Sequence, residues 1–527
     1  MPSRALCLLT LVASLVFGCW ALALGMDASW DLRNYHYYNG WRLLNGQIDR
    51  DVLMAQPPSF FNPLIDVPYA WAVERLPAKA IGFTLGALHG FNVALLFAIA
   101  RRLLRPAKDW AAAALAMVGA CGAGGLSELG TVFYDNLLSV GVLASVLLVV
   151  ARWRDLAEAA PPRAVRIALL TGLPVGLAFG LKQPAVVFCA GLAAAFLLLP
   201  GRRWLAFAFG MGAAAGFMVT GGYWALHLWQ TTGNPLFPYF NHIFASPWAL
   251  AQSYRDPAYL PGSLWEAVTL GFRFPFTPRV AGEAWNVDFR IFAVLALLPL
   301  ALRRAREPLL EPGPERWLLA ASVITYALWV GLFSIYRYII ALEMVAPILV
   351  IGLLGRLRWG RVLAGAVAVA LLATTQPGTW LRVEWRERAI EAEVPAIAPN
   401  ALVLVTGHEP LSFLVPLFPD NVRFVRVDST FTLPSGPTPF RDLFRRAVKS
   451  AGGPIYALHI ASDAPQVDSK LAEWDRAVDG ECQTFTSPIG VPGDPYRLCL
   501  TKRRSVTGEV AEAAPEAKTA GADSGGS

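Results

Sequence analysis

Apolar residues in this chain come in blocks of about twenty, nearly free of charge, where a soluble protein would show short periodic stripes. Blocks of that length suit helices that cross roughly 30 Å of hydrocarbon. Read in order, they predict spans over residues 5–25, 80–104, 110–126, 131–150, 165–181, 184–199, 204–228, 289–302, 317–334, 338–354 and 362–375, about eleven in all. Two long polar and aromatic segments interrupt them, at 26–79 and 229–288. Past residue 376 the pattern changes. Short apolar runs at 401–405, 422–427 and 455–460 read as strands, and 441–450 and 467–478 have the spacing of amphipathic helices. The expected fold class is an all-α polytopic membrane protein over residues 1–376 with a small C-terminal α/β domain over 377–504. Residues 505–527, rich in Ala, Gly, Ser and Glu, are expected to be a disordered tail.

Charge sets the orientation. Arginines cluster at every second connection: Arg101-Arg102 with Arg105, Arg152 to Arg166, Arg202-Arg203, Arg303-Arg304 with Arg306, and Arg356 with Arg358 and Arg361. The positive-inside rule then puts the N-terminus inside and the C-terminus outside, and an odd number of spans says the same. This predicts a multi-pass protein of a bacterial cytoplasmic (inner) membrane whose C-terminal domain is periplasmic. The first block, with Arg4 ahead and Ala21-Leu22-Ala23 behind, also has the form of a cleavable signal peptide. Its apolar run is longer than a usual signal core, which favours an anchor. Either reading leaves Asp27 outside.

Composition removes several function classes. Charged residues make up 16% of the chain, against roughly a quarter in soluble domains, and the mean hydropathy is +0.45. The formal net charge of +7 sits at block ends, with no zinc-finger, RNP or basic-helix pattern, so nucleic acid is not an expected partner. Walker A, Rossmann glycine, nucleophile-elbow and zinc-protease patterns are missing, so ATP and nucleotide sugars are not expected as direct ligands. Cys7, Cys19, Cys121 and Cys189 lie in apolar blocks as small hydrophobes. Cys482 and Cys499 lie on the last two predicted strands, outside the membrane, where a disulfide persists. They are expected to pair, two buried thiols being the alternative.

The first outside segment is the densest in candidate chemistry. It runs Met26-Asp27-Ala28-Ser29-Trp30-Asp31-Leu32-Arg33-Asn34-Tyr35-His36-Tyr37-Tyr38-Asn39-Gly40-Trp41. Asp27 and Asp31 are four apart, and on a helix they share a face. Its aromatic density suits a helix lying at the membrane interface, where rings also stack on sugar faces. Asp49-Arg50-Asp51 has the D-x-D form that carries a divalent metal in some transferases, although a solvated loop fits it better. Asn62 and Asp66 follow in a Pro-rich return to the bilayer, as sugar-hydroxyl ligands or as plain turn residues. Asp135 lies within a predicted span near its outer end, where an ionisable group is costly and marks function by default; a hydrogen bond with Tyr134 or Asn136 is the alternative. Lys182, Arg290 and Arg337 stand at outside helix ends that are otherwise uncharged, as phosphate ligands or as side chains snorkelling to headgroups. Glu343, deeper in the last long block, is read as a partner of Arg337 or of a neighbouring helix.

An acid just beyond the first span, an interfacial helix in a long outside loop, many further helices and an outside soluble domain resemble the GT-C superfamily of membrane glycosyltransferases. Bacterial aminoarabinose transferases, protein O-mannosyltransferases and Rhizobium-type lipopolysaccharide glycosyltransferases belong to it. The resemblance covers roughly residues 5–375 and rests on architecture and on 30–63. It implies transfer of a sugar from a polyprenyl-phosphate donor to an envelope glycan, glycolipid or protein at the periplasmic face, with inversion. The acceptor hydroxyl needs a general base, and the family's acid behind the first helix matches Asp31 or Asp27. Asp31 is preferred because it lies within the aromatic helix. The leaving lipid phosphate needs cations, which puts Arg337 with Lys182 or Arg290 at the phosphate and Tyr35, His36, Asp135 and Asn62 about the substrate. No particular cofactor is indicated, and a divalent metal has only the D-x-D in its favour. A transporter or flippase using Asp135 and Glu343 is the runner-up, though no paired repeat supports it. A non-catalytic envelope scaffold is the third reading.

Overall fold

The computed structural model describes residues 4–304, 308–429 and 438–504. The expected tail at 505–527, and Arg306 of one basic cluster, lie outside the described residues. Each predicted apolar block is helical over most of its length. Four helices are long and apolar enough to cross a membrane: Leu6–Leu24, Ala78–Leu103, Pro161–Leu181 and Tyr336–Leu354. The pair Trp204–Thr220 and Gly222–Thr232, bent by 69°, makes a fifth if counted as one span. The other blocks give shorter apolar helices, such as Asp109–Ala120 and Gly360–Thr374, or the Pro312–Leu332 helix. A helix of 12 to 15 residues covers only about 20 Å, short of a full crossing.

With lipid as solvent, helices associate through close packing and not through burial from water. The Pro161–Leu181 and Trp204–Thr220 helices show how the sequence arranges this. A side chain at Gly176 would put its Cβ 2.0 Å from the Ala213 carbonyl oxygen, and one at Gly212 would sit 1.9 Å from that of Leu169. The two backbones touch, and only glycine permits it. This contact fixes the end of the first helix, where Lys182 follows.

The short strands β1 (Met26–Asp27) and β2 (Arg382–Val383) pair antiparallel, tying the exit of the first helix to the segment after the last one. The C-terminal region is built on β3 (Leu402–Val405), β4 (Arg423–Arg426), β5 (Ile455–Ile460), β6 (Arg476–Val478), β7 (Gln483–Phe485) and β8 (Tyr496–Arg503). Their order is β4-β3-β5-β8-β6, with β7 on β8; β3 is parallel to β4 and β5, and β8 is antiparallel. All four residues of β3 are buried, as a central parallel strand requires. Helices Pro439–Lys449 and Ala464–Ala472 pack about this sheet, and a disulfide joins Cys482 to Cys499 on β8.

This sheet is joined to the first outside loop by backbone. Val52 N–H donates to Phe424 O at 3.0 Å and Arg426 N–H to Val52 O at 3.0 Å, so the loop extends the sheet beyond β4. Arg426, fully buried, donates to the carbonyls of Met54, Gly407 and Glu409. Asp51 accepts from Tyr38, Arg50 and the Phe424 amide. The second acid of the D-x-D is thus a buried docking residue of this junction, neither a solvated loop residue nor free for a metal.

Candidate functional site

The interfacial helix differs from its expected form. Residues 30 and 31 are helical, Leu32–His36 form a π-helical turn, and Tyr37–Leu44 continue as α-helix. Such turns are rare and cluster at functional sites. Asp27 is in β1, outside this helix, so it does not share a helix face with Asp31. One Asp27 oxygen accepts from Ser29 N at 2.9 Å and the other from Val132 N at 3.0 Å. Burial raises its pKa, opposed by these amides and by Arg382. Asp27 is therefore a buried anchor between the loop and the 128–134 turn, each of its oxygens held by a backbone amide.

Asp31 has a different setting. Its Oδ2 lies 3.1 Å from Nη1 of Arg337, 306 residues further along, and accepts from the Tyr35 hydroxyl at 3.0 Å. Arg337 stands on the Tyr336–Ile339 turn that opens the helix Ile340–Leu354. Its Nε lies 2.6 Å from Glu283 Oε2, and its guanidinium faces the rings of Phe133, at 4.9 Å, and Tyr338, at 5.1 Å. Lys182 approaches the same Tyr338 ring at 5.5 Å, with Nζ 2.7 Å from Asp135 Oδ2 and 2.8 Å from Phe133 O. Two cations and three carboxylates, from five separate parts of the chain, therefore meet around Phe133 and Tyr338.

A narrow cleft opens at this cluster. Asp135, Arg337 and Tyr338 form its polar end, and Leu138, Val142, Phe188, Ile340 and Ala341 its apolar wall. The arrangement puts two cations, each paired with carboxylates, at the head and hydrocarbon below, so an anionic lipid headgroup can bind there only by displacing a carboxylate from its cation.

The remaining predicted residues divide. Tyr35 belongs to the cluster through Asp31, and its ring packs 4.0 Å from that of His36. His36 Nδ1 lies 2.6 Å from Asp66 Oδ1. Burial lowers the His36 pKa well below the usual histidine range and raises that of Asp66, so both favour their neutral forms. Asn62 donates to Gly180 O at 2.7 Å and Thr220 O at 2.8 Å, and accepts from Tyr223 and from Leu64 N. It ties two helix ends together and has no capacity left for a sugar. Arg290 is fully buried; it donates to Val118 O, Cys121 O and Thr375 Oγ1 and pairs with Asp288. It is a bracket between helices, unable to reach a phosphate beside Arg337 without abandoning all of these. Glu343 does not pair with Arg337. It accepts from the amides of Gly124 and Gly125 and from the Tyr336 hydroxyl, capping the helix Ala123–Ser127.

Glu283 is the member of the cluster that sequence reading missed. It is one of four acids in the long loop, with Asp256, Glu266 and Asp288, and it stands between Gly282 and Ala284 with no spacing to mark it. Among the described residues, the single set of three metal-type ligands close enough to share an ion is His459, Cys482 and Cys499, whose sulfurs form the disulfide. The carboxylates about Arg337 are engaged with cations, and a metal has no evident seat among them.

No protein-family model matches this chain, and no curated protein matches it. Among solved structures it is similar to the crystal structure of ArnT from Cupriavidus metallidurans bound to undecaprenyl phosphate, at 12% identity and a TM-score of 0.44, over 96% of this chain and 100% of that one.

Proposed function

We propose that this chain is a membrane glycosyltransferase that moves a sugar from a polyprenyl-phosphate donor to a hydroxyl of an envelope glycan, glycolipid or protein, at the periplasmic face of the inner membrane. The observation that carries the reading is the Asp31–Arg337 contact at the polar head of an apolar cleft, with Lys182 beside it. The donor phosphate lies between Arg337 and Lys182, and its prenyl tail along Leu138, Val142 and Phe188. Its charge competes with Asp31 and Glu283 for the guanidinium. Asp31, released from Arg337, then takes the proton of the acceptor hydroxyl as that oxygen attacks the anomeric carbon. The bond from this carbon to the phosphate oxygen breaks, and the lipid phosphate departs with its charge held by Arg337 and Lys182. A single displacement inverts the anomeric centre.

The flippase alternative has less behind it. Transporters are commonly built from paired broken helices in corresponding halves, and the described residues contain one bent pair, at Gly221. Transfer of radiolabelled sugar from a polyprenyl-phosphate donor in isolated membranes tests the proposal. Activity is expected from the wild-type chain and a fall of about 10²–10⁴-fold in Asp31→Asn at equal expression. Full activity in the double variant Asp27→Asn, Asp31→Asn would end the assignment.

A further inference from the structure

Three side chains with metal-binding atoms meet on one face of the C-terminal sheet, and the proposed transfer reaction uses none of them. The pairing of β7 with β8 sets Gln483 opposite Leu498, and one step along this register Cys482 faces Cys499, with Cα atoms 4.2 Å apart. On the other side of β8, Cys499 stands opposite Ala457 of β5. His459 is two residues on from Ala457, so it lies on the same face of the sheet as Cys499. The two Sγ atoms and a ring nitrogen of His459 are within 4.8 Å of one another. Three neighbouring strands therefore hold the three groups, and strands fix such geometry better than loops do.

The hydrogen bonding of His459 points to a ligand. The residue is 2% exposed. Its Nδ1 lies 2.6 Å from the Ile460 carbonyl oxygen, which can only accept, so Nδ1 carries the ring hydrogen. In the neutral ring Nε2 then offers a lone pair, and its contact is Cys499 Sγ at 3.5 Å. A disulfide sulfur has no hydrogen to donate. A buried acceptor thus faces an atom that cannot satisfy it, where buried polar atoms are nearly always bonded. A backbone carbonyl that fixes the N–H of one ring nitrogen and leaves the other bare is how metal-binding imidazoles are held. We propose that reduction of the Cys482–Cys499 disulfide opens a site for a soft d¹⁰ cation, Zn²⁺ or Cu⁺, held by both thiolates and by His459 Nε2.

The reductant is a dithiol. Its thiolate attacks Cys482 Sγ, the partly exposed sulfur; the bond to Cys499 breaks, and the buried Cys499 sulfur leaves and takes up a proton. The second thiol of the reductant then attacks the mixed disulfide. Two electrons and two protons pass to the protein, and the reductant departs as a disulfide. The cation displaces the two thiol protons and binds both sulfurs and Nε2. Two thiolates and one imidazole suit Zn²⁺ with one position open, and soft thiolates also select Cu⁺. On tetrahedral bonds of about 2.3 Å the sulfurs stand about 3.7 Å apart. Strand β7 can give that room: it has three residues, is bonded among the described residues to β8 alone, and leaves Gln483 and Thr484 exposed. The site is independent of what the membrane domain transfers.

The full chain in lipid nanodiscs is reduced with dithiothreitol, freed of it without air, and titrated with Zn²⁺ against a chromophoric chelator and, separately, with Cu⁺ against bicinchoninate. The oxidised chain is the blank, and Cys7, Cys19, Cys121 and Cys189, present in both forms, cancel. Reduction is expected to add one tightly bound ion per chain, and that ion to protect Cys482 and Cys499 from iodoacetamide in peptide maps. His459→Gln should weaken the added binding by at least about 100-fold, the upper end of what loss of a mere outer partner costs a metal site. Formation of the disulfide in that variant, read from the same maps without reduction, verifies that its sheet has folded. Gain of Zn²⁺ alone or of Cu⁺ alone supports the site and names its ion. No added ion on reduction, or equal affinity in His459→Gln, overturns it. Should His459→Gln fail to form the disulfide, X-ray absorption at the metal bound to the reduced wild-type chain decides, because an imidazole ring gives outer-shell scattering that water does not; absence of that scattering overturns the site.

Discussion

At the scale of single residues, Asp27 and Asp31 look interchangeable in sequence and have opposite tasks in the fold. Asp31→Asn removes the proposed base and keeps the shape, so transfer should fall by about 10²–10⁴-fold with little change in thermal midpoint. Asp27→Asn replaces an oxygen that faces a backbone N–H with an NH₂ group, leaving buried donors opposed. It should cost about 1–3 kcal/mol of stability, read as a lowered midpoint, while the folded fraction keeps its turnover. His36 supplies a pH test. Its folded pKa is lowered by burial, so below about pH 6.5 the unfolded chain takes up a proton here that the folded chain refuses. Stability should therefore fall as pH drops through this range, and His36→Gln should flatten that slope in midpoints measured across it; an unchanged slope would mean the ring is charged in the folded state. Lys182, Asp135 and Arg337 were visible from sequence because a charge at or near the end of an apolar block breaks its pattern, and Asp31 because it lies in the aromatic helix behind the first span. Arg290 breaks the pattern equally well and Asn62 stood out in the Pro-rich return, yet the fold uses both as brackets. What separates the two groups is whether a side chain meets other ionic side chains at the cleft or is used up by bonds that tie helix ends together, and no local pattern encodes that.

At the scale of elements, the site depends on contacts that position helix ends. The Pro161–Leu181 helix delivers Lys182, and its height is set by the crossing at Gly176 and Gly212. Gly176→Val should force the two helices apart, at a cost of about 1–3 kcal/mol, and should raise KM for the lipid donor more than it lowers kcat, because Lys182 moves while Asp31 does not. Equal KM in variant and wild type would show that Lys182 has no part in donor binding. The π-helical turn after Asp31 has its own support. Ser412 of the C-terminal domain donates to the carbonyls of Arg33 and Asn34, and Arg33 pairs with Glu409 at 3.4 Å. Hydropathy and aromatic spacing revealed a helix here, but the extra residue in its turn was hidden, since its stabilising hydroxyl lies 378 residues away. The helical blocks were legible for the converse reason: lipid as solvent constrains every residue of a span, and so writes itself into composition.

At the scale of the whole molecule, the groups proposed to hold the donor and the group proposed to activate the acceptor have different foundations. Arg337, Lys182, Asp135 and the cleft wall all belong to membrane helices and their connections. Asp31 sits on a loop that is gripped from above by the C-terminal sheet, through Val52, Asp51, Arg426 and Ser412. A chain ending at residue 397 keeps β2 and its tie to the first helix and loses the whole sheet. It should still insert in the membrane and bind undecaprenyl phosphate in an Arg337-dependent way, yet transfer no sugar, because the Leu32–His36 turn loses the hydroxyl and the strand partner that hold Asp31 in place. The milder variant Arg426→Met should show the same split in part: it strands three carbonyls, frees residues 50–56 to proteolysis, and lowers kcat with the donor KM unchanged. If truncation abolished lipid binding and transfer together, the sheet would be holding up the membrane body as well. Transfer at wild-type rate from the truncated chain would remove the grip on Asp31 as a cause of catalysis, because the loop would then hold its geometry by membrane contacts alone.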